Sequence, residues 1–434
     1  MPAERTSTQR TSVELFAGGG GLAMAVHRSG FRPVLLNEYV KHACDTLEAN
    51  GVMLRGEEER IPEPGEPGLL VRGDVRDLKM AYLNDKVDLL AGGPPCQPFS
   101  LGGVAKGDED KRNMFPEMFR AIREIQPKAV ICENVRGLLR PSFKPYFDYI
   151  IRELEFPFVE RDDDVSWLHH NALIERRRKL DKTHPRERYR VHKFEVNAAD
   201  YGVPQIRNRV IIVAFRSDLN IDESLLREAV GKTHSEGALL RSLVSGEYWD
   251  RHPKVPKHVR SHVMAGLQSA LSLGNVDPKL KPWRTLRDAL AGIDERSKQL
   301  PAIPWDRLDR TQHDDMPRDH VGWPDARIYP GHTPNVLDRP AKTVKAGVHG
   351  VPGGESVILT DTRTAGRKAG EQRYRHRYMT VREAARVMTF PDDWVLCGPR
   401  GEKMRQLGNA VPVLLGEVFA KAVATVLDDV ERRS

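Results

Sequence analysis

The sequence predicts an α/β fold with a mostly parallel sheet and helices on both faces. Three observations carry that expectation. Short apolar runs alternate with helix-like stretches through the first half of the 434 residues. A glycine run follows the first apolar run and opens a helix. Val87–Leu90 and Ala129–Cys132 read as strands with the helical pattern Phe115–Ile125 between them.

In chain order, Ser12–Phe16 is the first expected strand, and a helix starts at about Leu22. Val34–Leu36 is the second strand and ends at Asn37–Glu38; Val210–Phe215 is a later one. From about Arg216 to Asp338 the pattern weakens into Pro, His and charge, which predicts a second, smaller, irregular domain. Thr380–Thr389 and Val411–Leu427 are helical again and are expected to return to the first domain. The expected boundaries are 1–215, 216–378 and 379–434.

Hydrophobic residues make up 39% and charged residues 30%, the profile of a soluble globular chain with a real core. No apolar run approaches the roughly 18 residues of a membrane span. Met1–Arg10 is too polar for a signal peptide, so a cytoplasmic protein is expected. The four cysteines show no Cys-x-x-Cys spacing, so neither a metal site nor a disulfide framework is expected. The net charge of +7 permits a polyanionic partner. Arg363, Arg367, Lys368, Arg373, Arg375, Arg377, Arg382 and Arg386, against Glu371 and Glu383, read either as a solvated surface or as a strip contacting phosphates.

Four segments carry chemistry. In Leu15-Phe16-Ala17-Gly18-Gly19-Gly20-Gly21-Leu22-Ala23 the glycines let the backbone turn tightly and approach a ligand, and Glu38 closes the next strand where an acid can bind ribose hydroxyls. This is a nucleoside-cofactor signal that does not separate NAD from S-adenosylmethionine. In Gly92-Gly93-Pro94-Pro95-Cys96-Gln97-Pro98-Phe99-Ser100 the prolines hold Cys96 at a strand end, and the glycine-rich, charged stretch Leu101–Arg112 reads as a loop able to close over a substrate. In Val130-Ile131-Cys132-Glu133-Asn134-Val135, Glu133 closes an apolar strand and can line the same crevice, while Cys132 faces the core. In Gln205-Ile206-Arg207-Asn208-Arg209, an extended run into Val210 would put Gln205, Arg207 and Arg209 on one side, a face suited to phosphate or a base edge.

Together with Arg339-Pro340-Ala341-Lys342-Thr343-Val344, Tyr378–Trp394 and Gln406-Leu407-Gly408-Asn409-Ala410-Val411-Pro412, these segments resemble, in order, the motifs of the cytosine-C5 DNA methyltransferases. The resemblance implies a Rossmann-like catalytic domain using S-adenosylmethionine, a target-recognition domain and double-stranded DNA as substrate. At the matching positions it implies Cys96 as nucleophile and Glu133 as the contact to cytosine N3. Arg207 and Arg209 would position the base and its phosphate, with Gln205 and Ser100 as further substrate contacts. Phe16, Gly18, Gly20, Glu38, Asp74, Pro94 and Asn409 would line the cofactor pocket. It further implies a monomer, with a restriction endonuclease as a functional partner.

Between Glu160 and Arg190 the sequence is longer than the family pattern, which reads as a solvated helix or an added contact. Other readings remain. An RNA (tRNA) cytosine methyltransferase could use the same scaffold, although the long region between Arg209 and Arg339 argues for duplex DNA. An NAD-dependent oxidoreductase leaves Pro94–Phe99 and Gln205–Arg209 without a purpose. A catalytically dead DNA-binding protein is opposed by Cys96, Glu133 and Arg207 together.

Overall fold

The computed structural model describes residues 9–433 except 57, 96–112, 163, 181, 269–276, 295, 329, 331–332, 347–355 and 366–371. The chain forms two compact units. The first comprises Met1–Val196, Asn208–Gly231 and Gly416–Ser434; the second comprises Asn197–Arg207 and Lys232–Leu415.

The first unit is built on an eight-stranded sheet. Its strands are β1 (Thr11–Leu15), β2 (Arg32–Glu38), β3 (Met53–Leu54), β4 (Leu69–Arg72), β5 (Leu89–Gly92), β6 (Ala129–Val135), β7 (Tyr189–Asn197) and β8 (Asn208–Arg216), in the order β3-β4-β2-β1-β5-β6-β8-β7. From β3 to β6 neighbouring strands are parallel, whereas β8 runs antiparallel to β6, with Ala129 opposite Phe215 and Val135 opposite Arg209. Strands buried on both faces read as continuous apolar runs, which is why β1, β2, β5, β6 and β8 are legible in sequence. The exposed pair of β3 and the mixed, half-exposed β7 carry no such run.

The helices of this unit are α1 (Gly21–Arg28), α2 (Lys41–Ala49), α3 (Phe115–Ile125), α4 (Lys144–Glu155), α5 (Trp167–Leu180) and α6 (Glu223–Ala229). In α3 the residues Phe115, Met118, Phe119, Ile122 and Ile125 recur at helical spacing, and all are buried in the core beside Leu15 and Leu90. The extra stretch 160–190 contains α5, whose single buried apolar side chain is Ile174. The unit is completed from the far end of the sequence. The residues from Gly416 onward belong to a long last helix, and within the unit Arg10 pairs with Asp428, Arg28 with Glu417, and Phe194 packs on Phe419.

The second unit contains α7 (Glu236–Ser245), α8 (Glu247–Arg251), α9 (Lys257–Gln268), α10 (Leu286–Ala291), α11 (Val381–Val387) and α12 (Arg400–Asn409); the last helix, α13 (Val413–Arg433), starts here. Two short strands, β9 (His234–Ser235) and β10 (Lys281–Pro282), pair in parallel. Two longer ones, β11 (Val357–Ala365) and β12 (Gln372–Tyr378), form an antiparallel ribbon. Leu239, Leu243, Tyr248, Trp249, Val259 and Trp283 make a core of their own. This region looked irregular in sequence because its short helices are held by buried polar pairs and caps as much as by apolar period. His252 bonds Asp288 at 2.8 Å, Tyr248 donates to Asp338 at 2.8 Å, and Thr285 and Asp288 close a capping box on α10.

One expectation fails. The stretch Arg400–Arg433 holds an 18-residue window apolar enough to cross a membrane, but 72% of that window is buried inside the protein, as in a core helix.

Candidate active site

In the first unit, β1, β2, β4, β5 and β6 end on the same edge of the parallel sheet, where α/β proteins bind their ligands. The glycine run leaves β1 through a succession of left-handed residues: Phe16, Gly18 and Gly20 have φ of 57°, 56° and 87°. Such turns aim backbone N–H groups into one concavity. Phe16 is no glycine, and a side chain held at that φ costs on the order of 1–3 kcal/mol. Here the surroundings enforce it, since Ala17 N–H donates to Asn37 O at 3.0 Å and Gly20 N–H to Ala17 O at 3.0 Å.

Glu38, 7% exposed, lies against this turn. Its Oε2 accepts Gly18 N–H at 2.7 Å, and its Oε1 accepts Tyr39 N–H at 3.0 Å and Val40 N–H at 2.8 Å. A carboxylate offers about four acceptor positions, so one remains for an incoming hydroxyl, and a second becomes available when Gly18 N–H is released. Asp74 follows β4 and caps the turn after it, accepting from Arg76 N–H at 3.0 Å and from Arg76 Nε at 2.9 Å. The Arg76 guanidinium holds the Asp74 carboxyl below its usual range. A side chain added at Gly73 would meet nothing within 4 Å, so the space beside Asp74 is open. Remaining acceptor positions on Glu38 and Asp74, the glycine turn beside Glu38 and open space at Gly73 fit the hydroxyl and amino groups of a nucleoside cofactor.

The end of β5 is shaped by what it touches. A Cβ at Gly92 would lie 2.9 Å from Leu15 O, and one at Gly93 would lie 3.6 Å from Glu133 Oε2. Glycine is needed at Gly92 for this strand end to run so close to β1, whereas a Cβ at Gly93 would make only ordinary contact with Glu133. Asn134 Nδ2 donates to Pro94 O at 3.0 Å, fixing the first proline to β6. Pro95 O accepts Met114 N–H at 3.2 Å. Cys96, Ser100 and the expected loop Leu101–Arg112 lie outside the described residues; their two flanks are thus joined to each other. Glu133, 7% exposed, has Oε1 2.6 Å from Arg209 Nε, an ion pair whose N–H is not aligned as a hydrogen bond. The register explains the meeting: Glu133 faces Ile211 on β8, and Arg209 is two residues along on the same face.

Gln205 and Arg207 are placed differently from the sequence expectation. Strand β8 begins at Asn208, so the run does not continue an alternating face back to Gln205. Both residues belong to the second unit and are buried. Arg207 Nη1 donates to Val344 O at 3.0 Å, and its Nη2 to Gly408 O at 2.7 Å and Ala410 O at 2.9 Å. Gln205 Oε1 accepts Val344 N–H at 3.2 Å, while Ile206 N–H donates to Ala341 O at 2.8 Å. Arg207 therefore ties together three sequence segments that were read separately. Asn409, also in the second unit, is exposed at the end of α12 beside Gly408. A Cβ at Gly408 would lie 2.2 Å from Ala346 N, so only glycine fits.

The basic strip also divides. Arg377 is buried and pairs with Glu383, Nη1 to Oε2 at 2.8 Å. Arg386 is buried against Asp392, and Arg382 is 1% exposed, bonded to main-chain carbonyls. These three hold the second unit together and are unavailable to phosphate. Arg363 and Arg373 are exposed, Arg375 is half-buried, and Arg367 and Lys368 lie outside the described residues. Sequence reading passed over Asn134, although it stands next to Glu133. It also passed over Asn197, whose Oδ1 accepts Arg207 N–H at 3.1 Å.

A parallel sheet with a glycine turn after β1 and an acid closing β2 defines a nucleoside-cofactor fold, and the family match makes it that of an S-adenosylmethionine-dependent methyltransferase. Residues 10–156 and 169–425 match the C-5 cytosine-specific DNA methylase family, and the chain belongs to it. It is 31% identical to the type II methyltransferase M.PspPI of Psychrobacter sp., over 98% of this chain and 82% of that one. It is also 31% identical to the type II methyltransferase M.Eco47II of Escherichia coli, over 98% and 81%. Among solved structures, a mutant of Spodoptera frugiperda DNMT2 superposes with a TM-score of 0.52 at 16% identity, covering 96% of this chain and 99% of that one, a likeness of fold. The enzyme is a DNA (cytosine-5-)-methyltransferase that uses S-adenosylmethionine.

Proposed function

We propose that the enzyme methylates C5 of one cytosine, flipped out of a specific duplex sequence, through a covalent adduct of Cys96 at C6. The observation that carries this reading is the Glu133–Arg209 pair at 2.6 Å beside the end of β5, the strand that leads into Pro94-Pro95-Cys96. S-adenosylmethionine supplies the methyl group. The Cys96 thiolate adds to C6, which makes C5 electron-rich, and a carboxyl at Glu133 stabilises the charge that develops through N3. Methylated C5 then loses its proton to a base, the electrons return to the ring, and the C6–S bond breaks to release the thiolate. A base inside a duplex cannot reach such a site, so it must leave the stack.

The remaining assignments follow. Arg209 holds Glu133 and contacts the base, and Arg207 acts as a positioning residue through the main chain. Phe16, Gly18, Gly20, Glu38, Asp74, Pro94 and Asn409 bind the cofactor; Gln205 and Ser100 serve the substrate side. Residues 216–378 read the target sequence, and the catalytic groups lie outside them. The type II names of the relatives support pairing with a restriction endonuclease, and the working form is a cytoplasmic monomer.

Burial singles out the nucleophile further. It pushes the Cys44 and Cys132 thiols up to about 11 and about 12, so neither ionises near neutrality. The test is duplex DNA carrying 5-fluorocytosine. Fluorine cannot leave C5 as a cation, so the methylated adduct persists as a denaturant-stable complex that requires S-adenosylmethionine. Cys96→Ser should abolish it, while Cys44→Ser and Cys397→Ser keep it. An adduct mapped to another cysteine, or normal methylation by Cys96→Ser, overturns the mechanism.

A further inference from the structure

We propose that the outer face of the β11–β12 ribbon reads base edges in the major groove, with Arg375 as a contact to guanine and Arg373 beside it. The inference rests on the duplex-DNA reading above and names the element that confers sequence choice.

The ribbon has a fixed base. Arg287, largely buried, grips two carboxylates at once: Nε lies 2.6 Å from Asp338 Oδ1, and Nη1 lies 2.7 Å from Asp361 Oδ2 on β11. One face of the ribbon is covered. Tyr374 stacks on His258 of α9 with centroids 6.2 Å apart, His262 tilts against it at 5.7 Å, and Arg363, opposite Tyr374 in register, lies over the same ring at 5.9 Å. Strand alternation sends Arg373, Arg375 and Arg377 to the other face. Along that face burial grows towards the base: Arg373 is exposed, Arg375 half-buried and Arg377 buried against Glu383. The three arginines, equivalent by sequence, thus have different tasks.

Arg375 is the distinctive one. Its guanidinium lies 5.0 Å from the ring centroid of Trp305, an indole that is 48% exposed. A guanidinium laid on an aromatic face has its plane fixed, so less freedom is lost when its fork of donors meets a bidentate acceptor. Guanine O6 and N7 form such an acceptor pair at the major-groove edge, and a two-stranded β-ribbon fits that groove. A phosphate can accept the same fork, but a contact to it would be indifferent to the base sequence. Thr364 stands opposite Arg373 in register and adds a hydroxyl to the same face.

The test uses the full-length enzyme, S-adenosylmethionine and a duplex library with randomised sequence, read by bisulfite sequencing. The parent should show a guanine preference at a fixed distance from the methylated cytosine. Arg375→Ala should keep methylating while that preference falls by about ten- to a hundredfold. Arg375→Lys should relax it in part, because a lysine keeps the charge and can reach guanine but lacks the planar fork. Arg373→Ala, at an exposed position, should relax a neighbouring position and carries the test if Arg375→Ala does not fold. Unchanged sequence preference in Arg375→Lys and Arg373→Ala overturns the proposal. So does a uniform loss over all sequences that lysine restores, the mark of a phosphate contact. A parent enzyme that methylates no cytosine in duplex DNA would overturn the duplex reading instead.

Discussion

Glu133 and Arg209 face each other across the antiparallel β6–β8 seam that borders the parallel strands, 2.6 Å apart and both about nine-tenths buried. Removing one partner strands the other. Breaking a buried pair costs about 3–5 kcal/mol when one charge is left alone. Arg209→Ala and Glu133→Gln should therefore each lower both stability and kcat. Denaturant melts with single-turnover rates check this; a double mutant no worse than Arg209→Ala would show the coupling, and strict additivity would refute it.

Arg207 is expected to behave differently. Its guanidinium holds the carbonyls of Val344, Gly408 and Ala410, so Arg207→Ala should cost several kcal/mol, at about 1–3 kcal/mol per buried acceptor left unmade. Arg207→Lys should recover part of that loss. If Arg207→Ala melts like the parent yet loses kcat, its role is direct contact and the positioning role is wrong.

For the cofactor, Glu38→Ala removes both the acceptor left for a ribose hydroxyl and the anchor of Gly18 N–H. Affinity for S-adenosylhomocysteine should fall roughly 10- to 100-fold, as expected for the loss of a charged hydrogen-bond partner of about 1.5–3 kcal/mol. Titration calorimetry decides, and unchanged affinity removes Glu38 from the site.

Glu14 sits in the middle of β1, 1% exposed, with neither carboxylate oxygen hydrogen-bonded, and burial raises its pKa to about 8. In the unfolded chain it titrates near the ordinary value of 4.5. The folded state therefore keeps a proton that the unfolded state has lost between those values. Stability is fully present below about pH 4.5, declines as pH rises and levels off above about pH 8, with a total on the order of 4 kcal/mol. Glu153, raised to about 7 by burial, adds to the same trend. Glu14→Gln should flatten much of the decline between pH 5 and 8 in urea melts. A variant with the parent's slope would show that Glu14 finds a partner for its charge.

How far the sequence reached is seen by comparing residues of one type. Glu38 was legible because it closes an apolar strand, and Glu133 because it follows the apolar part of β6, which runs on to Val135; both signals are local. Arg207 and Arg209 looked equivalent at alternate positions. What separates them is the start of β8 at Asn208 and the carbonyls 137 to 203 residues away that capture Arg207. Arg373 and Arg377 diverge through a nearer partner, since Glu383 lies six residues beyond Arg377 and outside the ribbon. Partners outside the strand decide whether an arginine is structural or exposed, and residue spacing does not encode them. The short helices of the second unit escaped notice because their buried polar pairs mimic a surface composition.

The closure of the first unit by its last helix bears on how the protein is made. Arg10, Arg28 and Phe194 take their partners Asp428, Glu417 and Phe419 from the end of the sequence. At a synthesis rate of roughly 5–20 residues per second, the stretch between Gly231 and Gly416 takes about 10–40 s to emerge. Throughout that interval the first unit lacks the partners its last helix supplies, and the second unit can finish folding before the first. A chain arrested shortly before Gly416 would be a target for chaperones and proteases even though every strand of the sheet has been synthesised.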